Sequence, residues 1–367
     1  MKSVEVLVVG GGPAGAATAC WLAKSGCEVM LLERASGAHH KVCGEFLSIE
    51  TQAHLSRLAI DPAGLGAMPV GEVVLYAGSR AATTALPFRA LSLSRYRLDE
   101  ALLGQACEYG AEVKRGISAR QAEPLGAGWR LRCSDGEFIR CRTLVLATGK
   151  QTLRGIDDQR DASMVGLKIH LKLPACTTQA LSKRVELFLF RDGYGGLELV
   201  EGNIANLCVL LRRPAAPFAG RSWPELWEYL ASLSKDLGQR LRDGLPLWER
   251  PLGVVCPSGG YSHAHPNGAE HALYHVGDRI AHIPPFTGDG LAIALASAEL
   301  AAAHIRDRQP PAIYRHAVRC STASALHFAS AISRMNKSSL GRSLIVATAS
   351  RFPWVLQTAV RQTRLRM

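Results

Sequence analysis

Along the first 35 residues the apolar pattern changes period twice. Positions 4–9 (Val-Glu-Val-Leu-Val-Val) alternate once and then stay apolar, as a strand buried on both faces does. Positions 16–25 carry apolar side chains at helical spacing, and 27–32 returns to a strand pattern ending on Glu33. Strand, helix and strand within about 30 residues make a βαβ unit. Short β segments follow at 71–88, then a helix at 92–109 with Arg95, Leu98, Asp99, Leu102 and Leu103 in its repeat. A small meander is predicted at 113–118, 129–133 and 137–140, and an apolar strand at 143–147. Strand patterns at 165–171, 185–190 and 204–211 precede a helical stretch at 223–241. A strand at 272–276 leads to a long helix starting near Gly290, and two or three helices complete the chain. The order predicts an α/β nucleotide-binding framework interrupted twice by β-rich material.

The junction of the first strand and helix is Gly10-Gly11-Gly12-Pro13-Ala14-Gly15, which fits G-x-G-x-x-G at Gly10, Gly12 and Gly15. Gly10 permits the tight turn, Gly12 lets backbone approach a pyrophosphate, and Gly15 lets the helix lie close on the sheet. The helix N-terminus stabilises phosphate charge. Glu33, followed by Arg34, stands near the distance of a ribose-binding carboxylate. Three later stretches fit the same framework. The strand at 144–146 ends in Ala147-Thr148-Gly149, small enough for a close chain crossing. Arg95 opens a helix with a basic group for phosphate or a redox ring. Gly277-Asp278 ends a strand with a carboxylate that can accept from a polyol, and Pro284-Pro285-Phe286-Thr287-Gly288-Asp289-Gly290 aims backbone N–H groups from the next helix entry.

Length and composition narrow the class. A chain of 367 residues, 47% hydrophobic and 20% charged, is an ordinary globular protein with room for two domains. No charged-then-apolar-then-small leader precedes the first strand. No apolar run reaches the roughly 20 residues of a membrane span, and Glu299 interrupts the best candidate at 291–303. Ten cysteines without a C-x-x-C pair indicate neither zinc nor a disulfide framework; they suit the cytoplasm, mostly as small buried side chains. No metal site is expected: His263 with His265, and His271 with His275, lack accompanying carboxylate or thiol ligands. The net charge of +12 is concentrated from residue 301 onward, where eleven arginines and lysines face Asp307 alone. A solvated helical tail with arginine stems over apolar surface is the first reading. An acidic carrier protein or a peripheral membrane surface is the second, and nucleic acid is not expected. The stretch 352–356, with Arg361, Arg364 and Arg366 beyond it, is expected to bury as a final helix.

The motif set resembles the FAD-dependent oxidoreductases of the aromatic-hydroxylase, geranylgeranyl-reductase and flavin-halogenase superfamily, over nearly the whole chain up to about Arg308. The resemblance implies a Rossmann-type FAD-binding domain with an inserted antiparallel β-sheet substrate domain and C-terminal helices, an α/β fold with α+β elements. The corresponding divisions are 1–65, 91–160 and 265–310 for FAD, 66–90 and 161–264 for the substrate sheet, and 311–367 for the basic helices. Glu33 would bind the adenosine ribose, and Arg95 would lie by the FAD phosphates or ribityl chain. Asp278 would bind the ribityl or pyrophosphate portion, and Gly288-Asp289-Gly290 would face the flavin pyrimidine edge. NAD(P)H would then dock transiently as electron donor, without a site of its own.

Within that superfamily, Lys41-Val42-Cys43-Gly44-Glu45 and Leu146-Ala147-Thr148-Gly149-Lys150 look most like the prenyl-reductase and halogenase-like branch. The halogenase W-x-W-x-I-P signature is absent. The reductase Y-x-W-x-F-P element survives only as Tyr194 in Tyr194-Gly195-Gly196-Leu197-Glu198-Leu199. An NAD(P)H-dependent monooxygenase acting on an aromatic or unsaturated small molecule of specialised metabolism is therefore favoured. The alternatives are a reductase saturating C=C bonds of a lipophilic substrate, and an FAD-retaining protein with a non-redox, cyclase-like role. Candidate catalytic residues are Cys43, as an acid or a group packed on the ring, Glu45 and His282. Their plainer readings are an inert loop thiol, a cap for the following helix, and a satisfied loop histidine. Trp223, Trp227 and Tyr229 read as helix packing.

Overall fold

The computed structural model describes residues 1–156, 163–213, 222–256, 260–261, 271–352, 354–355 and 357–358. His263, His265, Arg361, Arg364 and Arg366 lie outside the described residues. Two sheets organise the chain. The seven-stranded sheet is centred on Lys2–Val9, which runs parallel to Val29–Glu33 on one side and to Phe138–Leu146 on the other. Glu112–Arg115 adds a parallel edge beyond Val29–Glu33. Phe138–Leu146 serves two partners along its outer edge: its first half pairs antiparallel with Gly128–Cys133, its second half parallel with Ala272–His275. The pattern at 137–140 and 143–147 is thus one strand. Continuous apolar burial of its second half suits the parallel core.

Pro13–Lys24 lies against this sheet with Arg95–Glu108 and Gly290–Arg306 beside it. Two of its contacts leave no room for a side chain. A Cβ at Gly15 would stand 1.9 Å from the Gly10 carbonyl oxygen, and one at Gly10, whose φ is +108°, 2.5 Å from that of Ala147. Gly290–Arg306 is buried nearly all round, which explains its long, largely apolar run. Glu299, the charge that interrupts it, pairs with His54 at 2.8 Å and Arg57 at 2.6 Å.

The nine-stranded sheet runs in the order Leu245–Pro246, Met164–Lys172, Ile204–Arg212, Gly193–Val200, Arg184–Phe190, Met68–Ala77, Arg80–Ser92 and Phe46–Leu47. Leu252–Cys256 pairs with Met164–Lys172 as well. All its pairs are antiparallel except Arg184–Phe190 with Met68–Ala77. Strand alternation sorts its faces. Leu167, Ile169, Leu171, Leu207, Val209, Leu197 and Leu199 point to a core closed by Trp223–Leu233 and Lys235–Leu241, where Trp223, Trp227 and Tyr229 pack as expected. The helical stretch at 223–241 is therefore two helices, broken at Ser234, whose side chain caps the second.

Pro311–Met335 and Ser339–Arg351 complete the described fold, the latter covering Val73, Leu75 and Ala82 with Val346 and Ala349. Two expectations change here. Phe352 and Trp354 are 48% and 64% exposed, so these two aromatic residues are not buried; residues 353 and 356 lie outside the described residues. Of the nine described cysteines only Cys20, Cys133 and Cys141 are buried, and all nine are free thiols.

Candidate functional site

The parallel strands deliver Gly10, Arg34, Ala147 and Asp278 to one crevice outside their carboxyl ends, where α/β sheets bind ligands. The crevice continues between the two sheets as a cavity of about 700 Å³. Its first part is a dinucleotide cradle. Glu33, 5% exposed, accepts the Gly11 N–H at 2.7 Å and the Ala35 N–H at 2.9 Å. Burial alone would raise its carboxyl; the Lys41 charge and these two N–H groups hold it below the usual carboxylate range. Gly12 is the open spot: an added Cβ would meet only the Arg95 Nη2, at 3.5 Å. Pro13 and Ala14 form the first helical turn above it, Pro13 at a position where the missing N–H costs nothing.

Arg95 lies over that gap. Asp99 accepts from its Nε at 2.6 Å and its Nη2 at 2.8 Å, and Lys41 stands 3.5 Å from the same carboxylate. Burial opposes the guanidinium charge, but Asp99 more than offsets it, so Arg95 stays cationic. Asp278 faces the cradle from the opposite wall, 3.4 Å from the Nδ1 of His282, which is 7% exposed. Burial works against the Asp278 charge, yet His282, Lys150 and Arg95 hold the carboxyl well below its usual range. Gly277, at φ +61°, lets this segment cross Ala14, where a Cβ would fall 2.8 Å from the Ala14 Cβ. The Thr148 hydroxyl donates to the Gln151 carbonyl at 2.8 Å, beside Gly149 at φ +61°. Pro285 starts the short turn 285–287, and Gly288 and Gly290 line the cavity at the entry to Gly290–Arg306, whereas Asp289 between them is 0% exposed and, against expectation, does not line it. A cleft open at Gly12, flanked by a half-buried arginine and a helix N-terminus, fits the pyrophosphate of FAD.

Cys43, Gly44 and Glu45 separate this cradle from the nine-stranded sheet. Asn206 holds their loop by donating to the Cys43 and Gly44 carbonyls at 3.2 and 2.9 Å. Glu45 does not cap the following helix, whose cap is Ser48. Its carboxylate, 0% exposed, accepts from the backbone N–H of Arg95 at 2.7 Å, adding to the Ser94 cap of Arg95–Glu108. It also pairs with the ammonium of Lys168, equally buried, and with the Nε2 of His170 at 3.0 Å. Burial would raise the carboxyl, and these two partners hold it down. His40 closes this corner, stacked on Tyr96 and packed on Trp248, its pKa pushed down to about 4 by burial, His170 and Lys168. His40, Glu45 and His170 bring ligand-type atoms within 4.8 Å of one another. Lys168 already occupies that carboxylate, which makes the cluster an ion-pair network rather than a cation site.

The residues that sequence reasoning missed are Lys168, His170, Glu198 and Asn206. All lie on the face of the nine-stranded sheet opposite its leucine core, with Asn206 paired to both His170 and Glu198 across the strands. Their signal was present as charged or amide side chains at alternate positions of otherwise apolar strands. Beyond them the cavity wall turns apolar, with Val73, Leu75, Leu86, Val185, Leu187 and Leu189 on the sheet side and Ile332 and Ile345 on the helices.

Residues 3–120 match the FAD binding domain family. Among curated proteins, the chain is 24% identical over 322 residues to the menaquinone reductase of Mycolicibacterium smegmatis, covering 81% of this chain and 75% of that protein. It is 27% identical over 320 residues to digeranylgeranylglycerophospholipid reductase 2 of Methanopyrus kandleri, with the same coverage. Among solved structures, flavin-dependent brominase Bmp2 superposes with a TM-score of 0.78 over 99% of this chain and 93% of that one, at 15% identity. That likeness is one of fold.

Proposed function

We propose that this chain, whose residues 3–120 match the FAD binding domain family, is an FAD-dependent oxidoreductase that saturates C=C bonds of an elongated lipophilic substrate, with NAD(P)H as the electron donor. The observation that carries this reading is the apolar channel leading away from the dinucleotide cradle, between Leu187 and Leu189 on the sheet and Ile332 and Ile345 on the C-terminal helices. Such a channel suits a chain-like hydrocarbon better than a compact polar aromatic. The two reductases with long alignments support the same choice. The sequence preference for hydroxylation rested on the missing tryptophan and proline at 194–199; the channel weighs the other way.

FAD bound in the cradle supplies the two-electron redox chemistry. The protein does the rest. Gly12 admits the pyrophosphate, Arg95 offsets its charge, and Glu33 and Asp278 accept from hydroxyl groups. The apolar walls bury the substrate and exclude water from the reacting bond. Cys43 and His282 line the junction of cradle and channel. The test is anaerobic reduction of the holoprotein followed by addition of a geranylgeranyl lipid in detergent, read by mass spectrometry. Gain of two hydrogens by the lipid supports the reading. No gain of hydrogen in that assay, together with oxygen consumption and incorporation of an oxygen atom when the reduced protein and lipid are mixed in oxygenated buffer, overturns it.

A further inference from the structure

Four carboxylates line the cavity: Glu33, Glu45, Asp278 and Glu198. Three are committed. Glu33 is held by backbone N–H groups, Glu45 by Lys168, His170 and Arg95, and Asp278 by His282. Glu198 differs. It is 2% exposed, and no hydrogen-bond donor among the described residues reaches its Oε2. An ionised carboxylate in that setting would be too costly to keep, so the group is held as the neutral acid. Burial pushes its carboxyl well above the usual range, the Glu45 charge adds to this, and Lys168 only partly offsets it. Gly196, two residues earlier on the same face, leaves the adjoining floor open, because a Cβ there would meet Leu187 at an ordinary 3.5 Å. A neutral acid whose Oε2 meets no hydrogen-bond donor among the described residues therefore lines the cavity between the cradle and the apolar channel.

We propose that Glu198 is the proton donor to the substrate in this cavity, a role that rests on the reductive reading above. Saturating a C=C bond adds a hydride equivalent to one carbon and a proton to the other. Two-electron-reduced flavin is the source of the hydride, and the Glu198 carboxyl O–H supplies the proton. The O–H bond breaks as the C–H bond forms, leaving Glu198 as a carboxylate, which solvent protons restore to the acid before the next turnover. Lys168 offsets part of the cost of the transient anion. A positioned general acid contributes about 10²–10⁴-fold to such a step.

Two measurements on the FAD-loaded protein test the assignment. Infrared difference spectroscopy of the oxidised holoprotein, with no substrate, should show a protonated-carboxyl band at neutral pH that Glu198→Gln removes and Glu198→Asp retains. Single-turnover hydrogenation of a geranylgeranyl lipid by the pre-reduced protein should slow at least 100-fold in Glu198→Gln, with Glu198→Asp recovering much of the rate and flavin content unchanged in both. A wild-type protein without the band, or Glu198→Gln turning over at the wild-type rate, overturns the assignment and leaves the reductive reading standing. A wild-type protein that shows the band but never hydrogenates the lipid overturns the reductive reading, and the donor role with it.

Discussion

Replacing Lys168 by methionine isolates the buried pair that joins the cradle loop to the nine-stranded sheet. Both side chains are 0% exposed, so neither charge has water to fall back on. Removing one partner of such a pair costs about 3–5 kcal/mol, because the remaining charge is left in low dielectric. Glu45 would keep two donors, His170 at 3.0 Å and the Arg95 N–H at 2.7 Å, which places the cost near the lower end. About 3 kcal/mol is roughly a hundredfold in the folding equilibrium. Glu45→Gln strands Lys168 and should cost a similar amount. The double variant carries neither charge and should cost less than either single one, giving an interaction energy of about 2 kcal/mol or more. Urea unfolding followed by tryptophan fluorescence reads the transition, with Trp248, stacked on His170 at 5.0 Å, as one of six reporters. A cost under about 1 kcal/mol for Lys168→Met, or a double variant that costs the sum of the two, refutes the reasoning. The Glu45 carboxyl is held below its unfolded value, so its stabilisation is present above about pH 4.3 and disappears as pH falls further.

Gly12→Val should give a folded but colourless protein, because the chain has room for the side chain and the pyrophosphate does not; full yellow occupancy would refute the cradle. Gly15→Ala should instead lower the melting temperature, since its Cβ collides with the Gly10 carbonyl; an unchanged melting temperature counts against the close packing. Arg95→Met should weaken FAD binding about 10- to 100-fold in a fluorescence titration, the worth of a lost hydrogen bond to a charged group; unchanged affinity would place the phosphates elsewhere. His40 titrates near 4 when folded and near 6.5 when unfolded, so the unfolded chain binds the extra proton between these values and stability falls as pH drops from about 6.5 to 4. His40→Gln should flatten the urea midpoint over that window, and an unchanged slope would refute the assignment. Exposed Leu340, Leu344, Phe352 and Trp354 lie among Arg334, Lys337 and Arg351, with no acidic residue from 311 to 352. This predicts co-sedimentation with anionic vesicles that declines with salt, and equal recovery with zwitterionic vesicles would count against it.

The sequence by itself determined the dinucleotide half of the protein. Gly10, Gly12, Gly15 and Glu33 act within one βαβ unit, where spacing along the chain nearly dictates distance in space, and Asp278 and Gly288 are read from their strand-end and helix-start settings. No described helix is long and apolar enough to cross a membrane, in keeping with the interrupted apolar runs. Only the tertiary structure decided which side chains meet beyond the cradle. Glu45 read as a local cap, yet a positive φ of +67° turns its carboxylate inward onto Lys168, more than a hundred residues away. Lys168, His170, Asn206 and Glu198 become neighbours only through the pairing register of three strands. A slip of one residue in any strand would turn its polar side chains into the leucine core. Whether a lone glutamate in an apolar strand is a partner in an ion pair or a neutral acid at an open cavity depends on which atoms surround it. Those atoms come from segments that only the folded sheet brings together.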